Sequence, residues 1–417
     1  MTGMPIVSNR DERLSPDARV LLGLLQRAGD AAALRIGDLS APKWDDIRRL
    51  ALRHGVAPLL HRSLQSAGAL AEVPEQVRIG LAQDRRTTAL DNLRNYGEFR
   101  RTVRALQQRE IPVIALKGLH LAELVYGDIS LRPMGDLDIL VPAAQVERAV
   151  KVLRSSEYDL AKKIGSAYDI GLTHRRLGIL IEIHWSLSQP PEPCIPPVDE
   201  VWRRAVPAKL GDADTCVMSP EFLLLHVCAH LANHHVFAAD LRALCDIAEI
   251  VSKQPQLDWP VVINHSQRQG WGRGVAAALR LARDQLAAAV PGDVLARIGG
   301  DTLDSELLAD ALEQLNTFSE TRQDLRFAPN LVGLTRPASP GEKILTLWRR
   351  TFVPRAQLAL IYGVPERSAR IHFYYLLRLR DLLRRYASSA WALIVCRGRI
   401  AADVARHARL AKWIAGA

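Results

Sequence analysis

Two aspartates sit two residues apart inside an apolar run of strand length, Asp136-Leu137-Asp138-Ile139-Leu140-Val141, and no other feature constrains this chain as much. Side chains alternate across a strand, so Asp136 and Asp138 share one face while Leu137 and Ile139 share the other. Two carboxylates on one face of an otherwise apolar strand are costly unless something neutralises them, and a divalent cation is the simplest agent. The alternative is an edge strand whose carboxylates face solvent. A second run, Ile181-Glu182-Ile183-His184-Trp185, repeats the pattern, with Glu182 and His184 on one face and Trp185 on the other. Neighbouring strands lie about 4.8 Å apart, so Glu182 on an adjacent strand would bring a third carboxylate to the same face. Three carboxylates make the oxygen-rich set that Mg2+ takes, with positions left for phosphate oxygens and water. Two such ions, about 3.5–4 Å apart, hold the attacking and leaving oxygens of an in-line phosphoryl displacement. Two Mg2+ ions are therefore expected, with Mn2+ as the alternative, and Asp136, Asp138 and Glu182 as ligands.

The surrounding residues read as a compact α+β unit. Residues 111–116 form a short apolar strand, Lys117-Gly118 follow at its end, and residues 119–126 read as a short helix stopped by Gly127. Pro142 opens a helix with Val146, Val150 and Leu153 on one face. Residues 158–164 read as a strand, and residues 168–175 and 179–186 as a hairpin around Arg176-Leu177-Gly178. Gly118 would let the backbone approach a phosphate closely, and Lys117 would add a point charge. Arg132 is either a phosphate clamp or a cap on loop carbonyls.

Helical periodicity holds on both sides. Residues 17–110 carry apolar residues at i, i+3, i+4 spacing, with Asp17 as the expected first N-cap, and helices resume at Pro220. Five prolines between Ser188 and Asp199 mark a boundary, and residues 328–341 form a second irregular segment. The expected division is an N-terminal helical region (1–106), the sheet core (107–199), a helical domain (200–330) and a basic helical tail (331–417). Net charge is +10, yet fifteen Lys and Arg against four Asp and Glu lie past residue 340, so the basic excess belongs to the tail. An anionic partner for the tail is one reading; only nine of the 55 basic residues are lysines, so Arg-rich composition is the other. Tyr374, Tyr375, Arg378, Arg380, Arg384 and Arg385 combine aromatic and basic residues, which reads first as an amphipathic packing helix and second as a nucleic-acid or lipid-surface contact. Mean hydropathy is -0.02 and no apolar run approaches the roughly 18 residues of a spanning helix, which excludes a membrane-embedded helical protein. The N-terminus lacks an apolar segment, and the five cysteines contain no CxxC pair. A cytoplasmic protein with free thiols is expected.

A helical row, His226, His230 and His234, has His235 adjacent and Arg242 and Asp246 downstream. Histidines four apart share a helix face. They are read as a metal site, as substrate-facing lining, or as packed side chains, with lining the leading reading for His230 and His234. No His-Asp pair occurs anywhere, which argues against an HD-type phosphohydrolase. Arg242 and Asp246, at i and i+4, are expected to pair within their helix. His184 is placed to orient Glu182 or to touch substrate.

The segment IPVIALKGLHLAELVYGDISLRPMGDLDILV, followed by a helix and IEIHW, resembles the uncharacterised nucleotidyltransferase family of the polymerase-β-like superfamily. The resemblance covers residues 111–187 and extends loosely to HGVAPLL and LRALCDIA. It implies a small mixed-sheet nucleotidyltransferase core flanked by N- and C-terminal helical regions. It implies metal binding by Asp136 and Asp138, with Glu182 completing the site and serving as base toward an acceptor. An NTP donor would be gripped near Lys117, Gly118 and Arg132, and a nucleoside monophosphate moved to an unknown acceptor hydroxyl or phosphate. One departure stands out: the superfamily's phosphate turn is Gly-Ser, whereas Gly118 is followed by Leu119. The competing reading is a catalytically inactive member that serves as a binding module for nucleic acid, a protein or a membrane surface.

Overall fold

The computed structural model describes residues 13–26, 36–161, 168–188, 196–238, 241–268, 272–321 and 399–415, with parts of 348–381. The chain is a mixed α+β fold whose sheet has helices on both flanks. Among the described residues four α-helices precede the sheet: α1 (Pro16–Leu25), α2 (Ala41–Arg53), α3 (Ala57–Ser66) and α4 (Glu75–Gln107). Ser15, not Asp17, caps α1; its hydroxyl accepts from the Ala18 amide at 3.2 Å, while Pro16 and Asp17 occupy the first turn. Pro suits the first turn because it lacks the N–H that would go unpaired there.

Among the described residues seven strands then form one sheet: β1 (Ile114–Ala115), β2 (Leu137–Leu140), β3 (Tyr158–Leu160), β4 (Asp169–His174), β5 (Leu180–His184), β6 (Val206–Leu210) and β7 (Ala213–Val217). Their spatial order is β3-β4-β5-β2-β1-β7-β6. The β4–β5 hairpin turns at Gly178, whose φ of 69° is open to glycine without strain. The β6–β7 hairpin lies beyond residue 199, past the segment from which the sequence suggested a sheet. Its run, VPAKLGDADTCV, has weak apolar alternation and a Pro, which a propensity reading discounts. The structure pairs β7 in parallel with β1, so β6 is the edge strand and Pro207 is tolerated.

Alternation sorts the two central strands. Leu137 and Ile139 of β2 and Ile181 and Ile183 of β5 pack into a core with Phe99, Val103 and Leu106 of α4 and with α6 (Val146–Ser155). The opposite face, bearing Asp138, Leu140, Glu182 and His184, looks toward α8 (Pro220–Ala229) and α9 (Leu241–Lys253). Those helices share a larger core with α1–α3. The sheet is therefore covered on both sides, and its polar residues have only the space under α8 and α9 to occupy.

Past α9, helices continue through Ser305–Thr321, and Arg399–Ile414 packs against that last helix. In the tail, Arg378 is buried and the Tyr375 hydroxyl donates to the Val353 carbonyl at 2.7 Å, so this part of the aromatic-basic cluster packs inward. Arg384, Arg385 and residues 328–341 lie outside the described residues, as do Pro190, Pro191 and Pro193. Cys216, Cys228 and Cys245 are free thiols. Among the described residues, no helix is long and apolar enough to cross a membrane.

Candidate active site

β2 and β5 run parallel, with Asp138 opposite Glu182 and Leu140 opposite His184. This register puts Asp138, Glu182 and His184 on one face. The His184 Nε2 lies 2.9 Å from Asp138 Oδ1 and 3.8 Å from Glu182 Oε2, so one imidazole bridges the two carboxylates. Donor atoms of Asp138, Glu182 and His184 lie within 4.8 Å of one another. Asp138, Glu182 and His184 are all buried, with exposures of 9%, 8% and 6%. Asp136, just before β2, lines the same cleft, a space of about 360 Å3.

Asp136 and Asp138 act on each other through their charges. Asp138 repels Asp136 most strongly, burial adds to the effect and Glu182 contributes, so the Asp136 carboxyl is pushed up to about 6 against the pull of Lys117 and Arg242. Burial also works against the Asp138 charge. There the Lys117 ammonium, 3.7 Å away, and the hydrogen bond and charge of His184 outweigh it and hold Asp138 well below the usual carboxylate range. Like charges at one site push their titrations apart in this way. The close group offers two carboxylates and one imidazole nitrogen, with Asp136 beside it on the cleft.

Lys117 starts a four-residue helix, α5 (Lys117–His120), directly after β1, and the chain continues as a π-turn over Leu121–Val125 before Gly127 ends it. Gly118 is closely covered: a Cβ there would meet the Met134 Sδ at 3.0 Å and the Arg132 NH1 at 3.5 Å. Its missing side chain makes room for the loop that carries Met134.

Arg132 is buried and spends Nε and NH2 on Asp246 of α9, at 2.9 and 2.8 Å, while the Tyr126 hydroxyl donates to the same carboxylate at 2.9 Å. The expected Arg242–Asp246 pair is replaced by this one. Arg242 instead donates to the Pro133 carbonyl at 2.7 Å. Asn92 of α4 adds two amide hydrogen bonds, to the carbonyls of Ile129 and Arg132. The loop from Gly127 to Gly135 is therefore clamped from α4 and α9, and it delivers Asp136 to the mouth of β2. Arg132 anchors the loop through the Asp246 side chain and not by capping loop carbonyls.

The histidine row forms the opposite wall. His226, His230, His234 and His235 all line the cleft. Burial drives His226 and His230 well below the usual histidine range, with the Lys117 charge adding to it, so both are neutral. Tyr168, which the sequence did not single out, sits 5.9 Å from the His184 ring and 6.2 Å from the His234 ring, joining the two walls. It precedes β4 by one residue, and nothing in the local pattern distinguishes it from a core tyrosine.

A parallel strand pair with in-register acidic residues, a lysine at the end of the neighbouring strand, and the LKG and LRPMGDLD segments folding onto one cleft all agree with the sequence profile that matches residues 40–287. The chain belongs to the uncharacterised nucleotidyltransferase family. The match covers more than half of the chain, from α2 to the end of α11 (Gly272–Leu286), so the helices around the sheet belong to the family unit and are not appendages. Nucleotidyl transfer, with an NTP as donor, is the general chemistry of the family. No curated protein and no solved structure matches significantly.

Proposed function

We propose that this nucleotidyltransferase is metal-dependent and moves a nucleoside monophosphate from an NTP to an acceptor hydroxyl or phosphate, releasing pyrophosphate. The observation that carries this reading is the register of Asp138 against Glu182, with Asp136 on the same cleft, three carboxylates where burial alone would disfavour even one. A divalent cation fits them: the donors are hard oxygens, and the repulsion that raises Asp136 is what a cation relieves. Asp136, Asp138 and Glu182 would hold it, and when bound it supplies charge neutralisation and alignment of phosphate oxygens.

The chain's own residues do the rest. His184 fixes the Asp138 carboxylate through its 2.9 Å hydrogen bond, so the ligand rotamer is set before anything binds. Lys117 places an ammonium 3.7 Å from Asp138, a point charge available to the phosphates of the donor. Glu182 is the base toward the acceptor: it takes the acceptor proton as the acceptor oxygen bonds to the α-phosphorus and the bond to the bridging oxygen of pyrophosphate breaks. The loop clamped by Arg132 and Asp246 fixes the position of Asp136, and alignment together with charge stabilisation is the main source of rate in such a transfer.

The test is calorimetric titration of each NTP, with and without Mg2+, into wild type and into the Asp136→Asn, Asp138→Asn double variant. Binding that requires both the ion and the aspartates is expected. Equal NTP binding without Mg2+, or in the double variant, overturns the reading and favours the binding-module alternative.

A further inference from the structure

The wall facing the carboxylates contains a feature that nucleotidyl transfer does not call for. At the end of α8 the helix widens into a π-turn over His230–His234, and the His235 amide donates to the His230 carbonyl at 3.1 Å. In an α-helix His230 and His234 share a face, but His235 is rotated about 100° away from His234. A π-turn pairs i with i+5, so it draws His235 back over His230. The ring centroids show the result: 4.4 Å for His230 to His235, 5.0 Å for His230 to His234 and 4.8 Å for His234 to His235. One ring nitrogen from each lies within 4.8 Å of the others.

The backbone is strained to keep this arrangement. Immediately after His235, Val236 and Phe237 adopt φ of 49° and 62°, a region that costs a β-branched or bulky residue of order 1–3 kcal/mol each. Phe237 is fully buried and Gln314 donates to the Val236 carbonyl at 3.0 Å, so packing holds the turn in place. A second observation comes from His226, one turn earlier on the same wall. It is buried, its ring lies 6.0 Å from that of His230, and its Nε2 has no hydrogen-bond partner among the described residues.

We infer that His230, His234 and His235 form a second metal site, for a zinc-class transition-metal ion and separate from the carboxylate site. Three imidazoles are the borderline nitrogen donors such ions prefer and Mg2+ does not. Zn–N bonds of about 2.0–2.1 Å in tetrahedral geometry place ligand nitrogens roughly 3.3 Å apart, so the three nitrogens, within 4.8 Å of one another, close up when the ion binds. Three protein ligands would leave a fourth position open, and these residues line the same cleft as the carboxylates. The site is independent of whether the carboxylates bind a nucleotide.

The probe is Co2+ followed by Zn2+, titrated into the tag-free full chain carrying Asp136→Asn and Asp138→Asn, so that the carboxylate site is disabled first. The expected result is one Co2+ per chain with the visible absorption of a four-coordinate ion, displaced by Zn2+. Addition of His234→Ala, an exposed position with little to lose in folding, should weaken Co2+ binding at least tenfold, and His235→Ala should do the same. Should either alanine variant misfold, imidazole NMR signals of the folded parent report the site directly, and Zn2+ must shift those of His230, His234 and His235. Binding that survives both alanine substitutions unchanged, a stoichiometry far below one, or Zn2+ that leaves the three imidazole signals in place overturns the inference. None of these outcomes depends on NTP binding.

Discussion

Asp138 on β2 and Glu182 on β5 are register partners across two parallel strands, and the imidazole of His184, two residues beyond Glu182, reaches both carboxylates. Parallel pairing makes this possible. Residues at the same height on adjacent strands point to the same face, and the next residue on that face, at i+2, lies about 6.6 Å further along. His184 therefore leans back to Asp138 from the step above. The site is a property of the pairing of two short runs, and a slip of one residue in either would send its carboxylates into the apolar core with Leu137 and Ile181.

Replacing Asp138 by Asn keeps the shape but removes the charge that His184 and Lys117 bond. NTP-dependent turnover should fall by more than a hundredfold while the circular dichroism spectrum stays that of wild type. Full activity in this variant would refute the catalytic assignment.

Asp136 carries a stability cost that can be measured. Its folded pKa, about 6, lies above its ordinary value of 3.8, so its charge destabilises the folded state fully above pH 6 and not at all below about pH 4. In the absence of divalent ions, Asp136→Asn should therefore stabilise the protein at pH 7.5 by on the order of 1–3 kcal/mol, the equivalent of up to two pKa units. Urea unfolding at pH 7.5 and at pH 4.5 checks this: the gain should shrink at the lower pH. Mg2+ should erase the advantage by stabilising wild type alone, because an ion bound to the native state adds its binding energy.

Much of this was legible in the sequence because it rests on alternation. The DLDILV and IEIHW runs show which residues share a face, and apolar neighbours mark both strands as buried. Long-range partners are less legible. Nothing local signals that Arg132 takes Asp246, 114 residues away, because the i, i+4 spacing of Arg242 and Asp246 offers a nearer solution. Ser15 outdid Asp17 as a cap since the Pro between them fixes where the helix begins. The π-turn is hidden for a similar reason: a 3.6-residue period places His235 off the row, and only the wider turn restores it.

The Arg132–Asp246 clamp predicts a structural phenotype with a catalytic consequence. Both side chains are buried, so Asp246→Ala strands a guanidinium without its partner and should cost about 3–5 kcal/mol. Arg132→Lys should recover little, because a point charge cannot reproduce the two parallel bonds to Asp246. Denaturant midpoints for both variants decide the matter. A loss below about 1 kcal/mol in Asp246→Ala would show that the loop from Gly127 to Gly135 is held by Asn92 and Arg242 alone.

Lys117 separates donor binding from the carboxylate site. Its ammonium lies 3.7 Å from Asp138 Oδ2, and it is also the largest of the favourable influences on that carboxylate. Lys117→Met keeps the length of the side chain and removes the charge. If Lys117 neutralises the triphosphate, NTP affinity should drop about tenfold, a loss of roughly 1.4 kcal/mol, and GTP or ATP should lose more than the corresponding monophosphate. If it serves only to hold Asp138 ionised, triphosphate and monophosphate should weaken equally, and raising the Mg2+ concentration should restore both. Titration of the two nucleotides into wild type and Lys117→Met over a range of Mg2+ distinguishes these outcomes. The first is expected, because the Gly118-Leu119 turn offers no hydroxyl and Lys117 holds its ammonium 3.7 Å from Asp138 on the cleft.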